Sequence, residues 1–198
     1  NDFKGKDGVY KNIILSSQDK VGDMDFNKGQ KFLNLRVEFG NGRTKWLNIK
    51  YKEADTVKNG TTFEGDYVQS GVNFVTALRD ILIQKYEEEG RPTSKFDAIN
   101  GALIVKEFVD KKIPIYLSYY NSERNDKTYF NLSTFFSPVG TEEEAREKAE
   151  ERGLEFIVVE PEEGKEKKTV EKELTEPDYE EETSWDEDDD WDDWEDEL

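Results

Sequence analysis

The sequence of 198 residues contains no cysteine and no histidine. The first absence removes disulfide frameworks, thiolate zinc sites and cysteine nucleophiles together. The second removes imidazole metal ligands and every mechanism that runs through a histidine general base. Carboxylate chemistry remains open, but Asp97, Glu107, Asp110 and Glu123 lack the spacing of a paired acid and base and read as solvated surface. Gly40-Asn41-Gly42 has no third glycine and no helix behind it, so it reads as a turn rather than a dinucleotide fingerprint. Asp186–Asp193 offers oxygen ligands to a hard cation but has no glycine-centred loop to hold one. No run of about 18 apolar residues occurs, so no membrane span is expected. These absences point to a non-enzyme without cofactor or metal. The lack of disulfides makes the cytoplasm the expected location.

The charge is segregated along the chain. Residues 1–140 carry 21 basic and 19 acidic side chains, a balance of +2, whereas residues 141–198 carry 7 basic and 28 acidic ones, a balance of −21. No basic residue follows Lys172. Residues 161–198 are expected to be disordered, because so acidic and aliphatic-poor a segment buries too little to offset its ordering entropy. Three of the four tryptophans nevertheless sit there, at Trp185, Trp191 and Trp194. Trp191, Trp194 and Leu198 are spaced i, i+3, i+7, one face of a helix that could form on a partner. Trp185, Trp191, Trp194 and Leu198 therefore read as a partner-docking peptide. The expected organisation is a body over 1–140, a helix–strand appendix over 141–160 and a tail over 161–198.

Within the body, Leu33, Leu35, Val37 and Phe39 alternate with Phe32, Asn34, Arg36 and Glu38, the period of a half-buried strand. Gly40-Asn41-Gly42 supplies a hairpin turn. The return strand alternates Leu47, Ile49 and Tyr51 with Trp46, Asn48, Lys50 and Lys52. A first strand is expected over Val9–Leu15, followed by a polar stretch from Ser16 to Gly29. Lys58-Asn59-Gly60 reads as a turn and Thr61–Phe63 as a short strand. Ser70 is expected to cap a helix with Val72, Val75, Leu78, Ile81, Leu82 and Tyr86 on its apolar face, stopped by Gly90 and Pro92. A second hairpin pairs Ile113–Tyr120 with Thr128–Phe136 across a polar loop from Asn121 to Lys127; the alternation leaves open which side of the return strand is buried. Thr141-Glu142-Glu143-Glu144 is a capping box opening a helix that ends near Arg152-Gly153. Leu154–Glu160 reads as a last strand. A mainly β fold follows, with five strands and a helix between the third and fourth, as in an OB-like Greek-key barrel. Other small barrels and an α+β sheet share that count.

If the aliphatic rows pack the core, Phe32, Arg36, Trp46, Lys50 and Lys52 share the outer face of the first hairpin, with Arg43 and Lys45 beside its turn. The second hairpin adds Tyr116, Tyr120 and Tyr129, with Arg124 and Lys127 at its tip. Rings interleaved with cations suit single-stranded nucleic acid, whose bases stack on flat side chains while its backbone follows positive charge. An acidic tail with indoles could imitate that ligand and compete for the same groove at an effective concentration of about millimolar.

The segment Lys111-Lys112-Ile113-Pro114-Ile115-Tyr116-Leu117-Ser118-Tyr119-Tyr120, the return Lys127-Thr128-Tyr129-Phe130-Asn131, and the acidic tail together resemble the single-stranded DNA-binding proteins of tailed bacteriophages. The chain departs from many of them in finishing on Leu198 rather than Phe. The resemblance implies an OB-like body that coats transient single strands in phage replication or recombination. It also implies a tail that recruits replication proteins such as a polymerase, primase-helicase or recombinase, in the cytoplasm of the host bacterium; a homodimer is compatible with it. The rival reading is an acidic protein-binding factor, akin to a histone chaperone or a DNA mimic.

Overall fold

The structure, a computed structural model, describes residues 2–21, 31–50 and 66–160. The expected Lys58–Gly60 turn, the Thr61–Phe63 strand, Lys52 and the tail lie outside these residues. Six strands form one sheet: β1 (Gly8–Val21), β2 (Lys31–Glu38), β3 (Thr44–Lys50), β4 (Pro114–Arg124), β5 (Lys127–Leu132) and β6 (Phe156–Ile157). The pairing order is β3-β2-β1-β4-β5, antiparallel throughout, with β6 joining β1 in parallel. Among the described residues three α-helices accompany it, α1 (Asp66–Glu88), α2 (Gly101–Lys111) and α3 (Glu142–Glu151).

Alternation sorts the strands as the hydrophobic period requires. Leu33 pairs with Ile49 and Leu35 with Leu47 on the inner face of the β2–β3 hairpin. Gly40 and Gly42 take φ of 94° and 77°, and the Glu38 carboxylate accepts both of their amides at 2.7 Å. Tyr10, Asn12 and Ile14 of β1 face the same interior, where Tyr119 Oη donates to Asn12 Oδ1 at 3.0 Å. Burial pushes the Tyr119 hydroxyl well above its ordinary pKa, so it stays a proton donor. The side left open for the second hairpin resolves here: Phe130 and Leu132 pack inward with Tyr119, and Phe130 stacks on the Tyr119 ring at 4.9 Å. α1 places Phe74, Val75, Leu78, Leu82 and Tyr86 in this core, and α2 adds Ile104, Val105 and Phe108.

Several boundaries differ from expectation. β1 runs on to Val21 through a bulge between Ile14 and Ser16, so the polar stretch begins with strand. α1 begins at Asp66, four residues before the expected Ser70 cap. α2 was not expected at all; the Asn100 side chain caps it by accepting the Leu103 amide at 3.1 Å, and Lys112 ends it in the left-handed region at φ 50°. The expected loop from Asn121 to Lys127 is mostly strand. β4 continues to Arg124, and the turn is only Asn125-Asp126, both at positive φ (53° and 58°), as a two-residue hairpin of matching twist requires. β5 stops at Leu132, and Phe136 lies instead in a second cluster.

That second cluster occupies the outer face. Val9 and Tyr116 pack there against Phe136, Val139, Ala145 and Ala149, with Leu154 and Phe156 at the edge. Thr141 Oγ1 caps α3 by accepting the Glu144 amide at 3.3 Å. The strand expected over Leu154–Glu160 shortens to β6, whose Phe156 pairs with Val9.

Candidate nucleic-acid interface

The two end strands of the pairing order, β3 and β5, approach each other through side chains. Lys45 Nζ of β3 lies 5.9 Å from the Phe130 ring of β5. The N-terminal segment lies between them: the Phe3 amide donates to Thr44 O of β3 at 2.8 Å, while Gly5 O and the Asp7 carboxylate accept from Asn121 of β4 at 2.8–2.9 Å. Phe3 is buried, stacked on Phe39 at 4.1 Å and edge-on to Phe130 at 5.7 Å, with the Arg43 guanidinium 5.3 Å from its ring.

An open cleft of about 470 Å³ follows this seam. Asp2, Phe3, Lys4, Lys45 and residues 127–131 line it. Three lysines, Lys4, Lys45 and Lys127, thus face one carboxylate, Asp2. Burial, with Lys4 adding repulsion and Asp2 opposing, lowers the Lys45 pKa. An anion entering here relieves lysine–lysine repulsion and compensates a desolvated ammonium.

The expected site residues divide into three groups. Lys45, Lys127 and Tyr129 line the cleft. On the outer face of β2–β3, Arg36 lies directly opposite Trp46, whose indole is 43% exposed. On the outer face of β4–β5, Tyr120 lies opposite Asn131, Ser122 opposite Tyr129 and Arg124 opposite Lys127; Tyr120 and Tyr129 are 45% and 44% exposed. Arg43 stands beside Phe3 at the turn, and Lys50 lies near Phe32.

Two expected rings are not available for stacking. Phe32 is on the outer face by register but only 6% exposed: it lies between Lys20 of β1 and Lys50 of β3, and the Lys50 ammonium is 5.8 Å from the ring. Tyr116 is 5% exposed because α3 and β6 cover the outer face there, with Phe156 at 5.9 Å. Sequence reasoning also missed Lys4 and the two buried rings at the base of the cleft, Phe3 and Phe130. The only local signal was the basic, aromatic composition of residues 3–6, which says nothing about a position between β3 and β5.

A second cationic cluster surrounds Tyr86 at the ends of α1 and α2. Arg91, Lys95 and Lys111 stand 4.1, 4.8 and 4.2 Å from its ring. Its hydroxyl donates to Glu107 at 2.6 Å and accepts from Lys95 and Lys111. Burial favours the neutral Glu107 carboxyl, but hydrogen bonds from Lys95, Tyr86 and Lys111 outweigh it and hold the pKa at about 2. Glu107, expected on the solvated surface, is instead the hub that ties α1 to α2.

Among the described residues no group of three or more acidic side chains is placed to hold a metal ion, and no helix is long and apolar enough to cross a membrane. The chain matches no protein-family model and no curated protein.

Proposed function

We propose that this protein binds single-stranded DNA without sequence preference, using an OB-like barrel closed at the β3–β5 seam. The observation that carries the reading is the cleft in which Lys4, Lys45 and Lys127 converge beside the exposed ring of Tyr129, over a floor formed by the buried rings of Phe3 and Phe130. Cations along the path and rings for the bases are the two requirements of single-strand binding. The order β3-β2-β1-β4-β5, with helices between β3 and β4, supports the barrel assignment. Oligonucleotide-binding barrels of that type use the β2–β3 face and the β4–β5 loop, where Trp46, Arg36, Arg124 and Lys127 stand in this chain.

The acidic tail completes the proposal. Its carboxylates imitate phosphates and its indoles imitate bases, so it competes with weakly held strands and, when displaced, is free to recruit replication proteins. The setting is phage replication or recombination in a bacterial cytoplasm, as the resemblance implies. Oligo-dT titration of the whole chain and of residues 1–172 tests both halves. Binding by the whole chain, strengthened at moderate salt in the truncation, is expected. Failure of either protein to bind oligo-dT or heparin overturns the reading in favour of an acidic protein-binding factor.

A further inference from the structure

Phe135 is 87% exposed, more than any other large apolar side chain among the described residues. A single exposed apolar residue needs no explanation by its exposure alone; what marks this one is its support. This loop is anchored at several points. The Ser133 amide donates to Ser118 O at 2.8 Å, continuing the β4–β5 ladder past Leu132, and Val139 and Tyr116 exchange backbone hydrogen bonds at 3.0 and 3.3 Å. Arg152 Nη1 donates to Phe135 O itself at 2.6 Å, and Lys148 Nζ to Ser137 O at 3.0 Å. The neighbouring Phe136 ring is buried, with Lys148 4.5 Å above it. The exposed ring is therefore held out on a fixed support, which lowers the ordering cost of binding to it.

We propose that Phe135 is an additional stacking platform for a base of the same single strand, at the end of the row begun by Tyr129 and Tyr120. This inference rests on the single-strand reading of the seam. Along the outer face of β4–β5 the rows Arg124/Lys127, Ser122/Tyr129 and Tyr120/Asn131 follow one another, and the Ser118–Ser133 contact extends the series toward Phe135. Successive rows are two residues apart, about 7 Å. That is twice the rise of about 3.4 Å per base in a stacked strand, so bases splay onto the rings rather than onto one another. The C-terminal end of α3 beside the ring is basic, with Arg152 and Lys148 donating to Phe135 O and Ser137 O, so it favours a phosphate at the same edge.

The test uses the full chain as wild type, Phe135→Ala, Phe135→Trp and Tyr129→Ala, titrated with oligo-dT of about six and about twenty residues, spanning the site sizes of one such barrel. Phe135→Ala is expected to weaken the long oligomer about tenfold and leave the short one unchanged. Phe135→Trp restores affinity, and its indole emission changes when the long oligomer binds. Tyr129→Ala weakens both. If Tyr129→Ala loses affinity and Phe135→Ala does not, the platform is refuted while the seam stands. A changed sedimentation coefficient of free Phe135→Ala with wild-type DNA affinity assigns the ring to contact between copies and also refutes it. If the wild type binds neither oligomer, the seam reading fails and takes the platform with it.

Discussion

Lys45 Nζ on β3 stands 5.9 Å from the centroid of the Phe130 ring on β5, joining strands that lie at opposite ends of the sheet's pairing order. Lys45 shares the inward parity of Leu47 and Ile49, so an ammonium occupies a position where a hydrocarbon would pack well. Burial already lowers its pKa, which means that the charged form is worse off in the fold than in the unfolded chain. Lys45→Met is therefore expected to leave the thermal midpoint unchanged or raise it, while weakening oligo-dT binding. Calorimetry and fluorescence titration of the same sample check the two opposite signs.

Trp46 and Tyr116 separate ring function from ring packing. Trp46 is 43% exposed, so Trp46→Ala should weaken oligo-dT binding by about 1–3 kcal/mol with little loss of stability. Tyr116 is buried beneath α3, so Tyr116→Ala should cost about 3–5 kcal/mol of unfolding free energy. Urea unfolding together with titration distinguishes them.

Phe3 ties the N-terminal segment into the aromatic core against Phe39, Tyr10 and Phe130. Phe3→Ala should lower stability by about 3–5 kcal/mol. It should also raise hydrogen exchange at the Phe3 amide, whose acceptor is Thr44 O. Exchange measured by mass spectrometry on peptides covering residues 2–7 reads this directly.

Glu107 sets an acid limit. Its carboxyl is held at about 2 against an ordinary 4.5, so its contribution to stability is complete above about pH 4.5 and is lost as pH falls toward 2. Glu107→Gln should be less stable than wild type at neutral pH, and the difference should shrink across that window. Thermal melts at stepped pH test it; a constant difference from neutral pH to pH 2 would contradict the ion-pair hub.

How much of this was legible in the sequence depends on the range of the interaction. Leu33, Leu35 and Val37 alternate cleanly, and Gly40-Asn41-Gly42 marks its own turn, so the first hairpin and its inner face follow from local pattern. α2 was hidden because Ile104, Val105 and Val109 are β-branched and form a short apolar run that suits a strand as well as a helix. Tyr116 reads as an outer-face ring, which it is; its burial comes from α3, some thirty residues later. Phe3 and Lys4 carry no period at all, and their place in the seam depends on hydrogen bonds to Thr44 and Asn121 that no local pattern encodes.

The salt dependence of oligo-dT affinity tests the central claim most directly, comparing the full chain with the variant in which Lys4, Lys45 and Lys127 are all alanine. Each phosphate contact contributes about 0.7 to the slope of log K against log salt for single strands. Loss of three contacts should make the slope shallower by about 2, with weaker binding at low salt. An unchanged slope and affinity would contradict the account, because the lysine-lined seam would then not be where the strand lies.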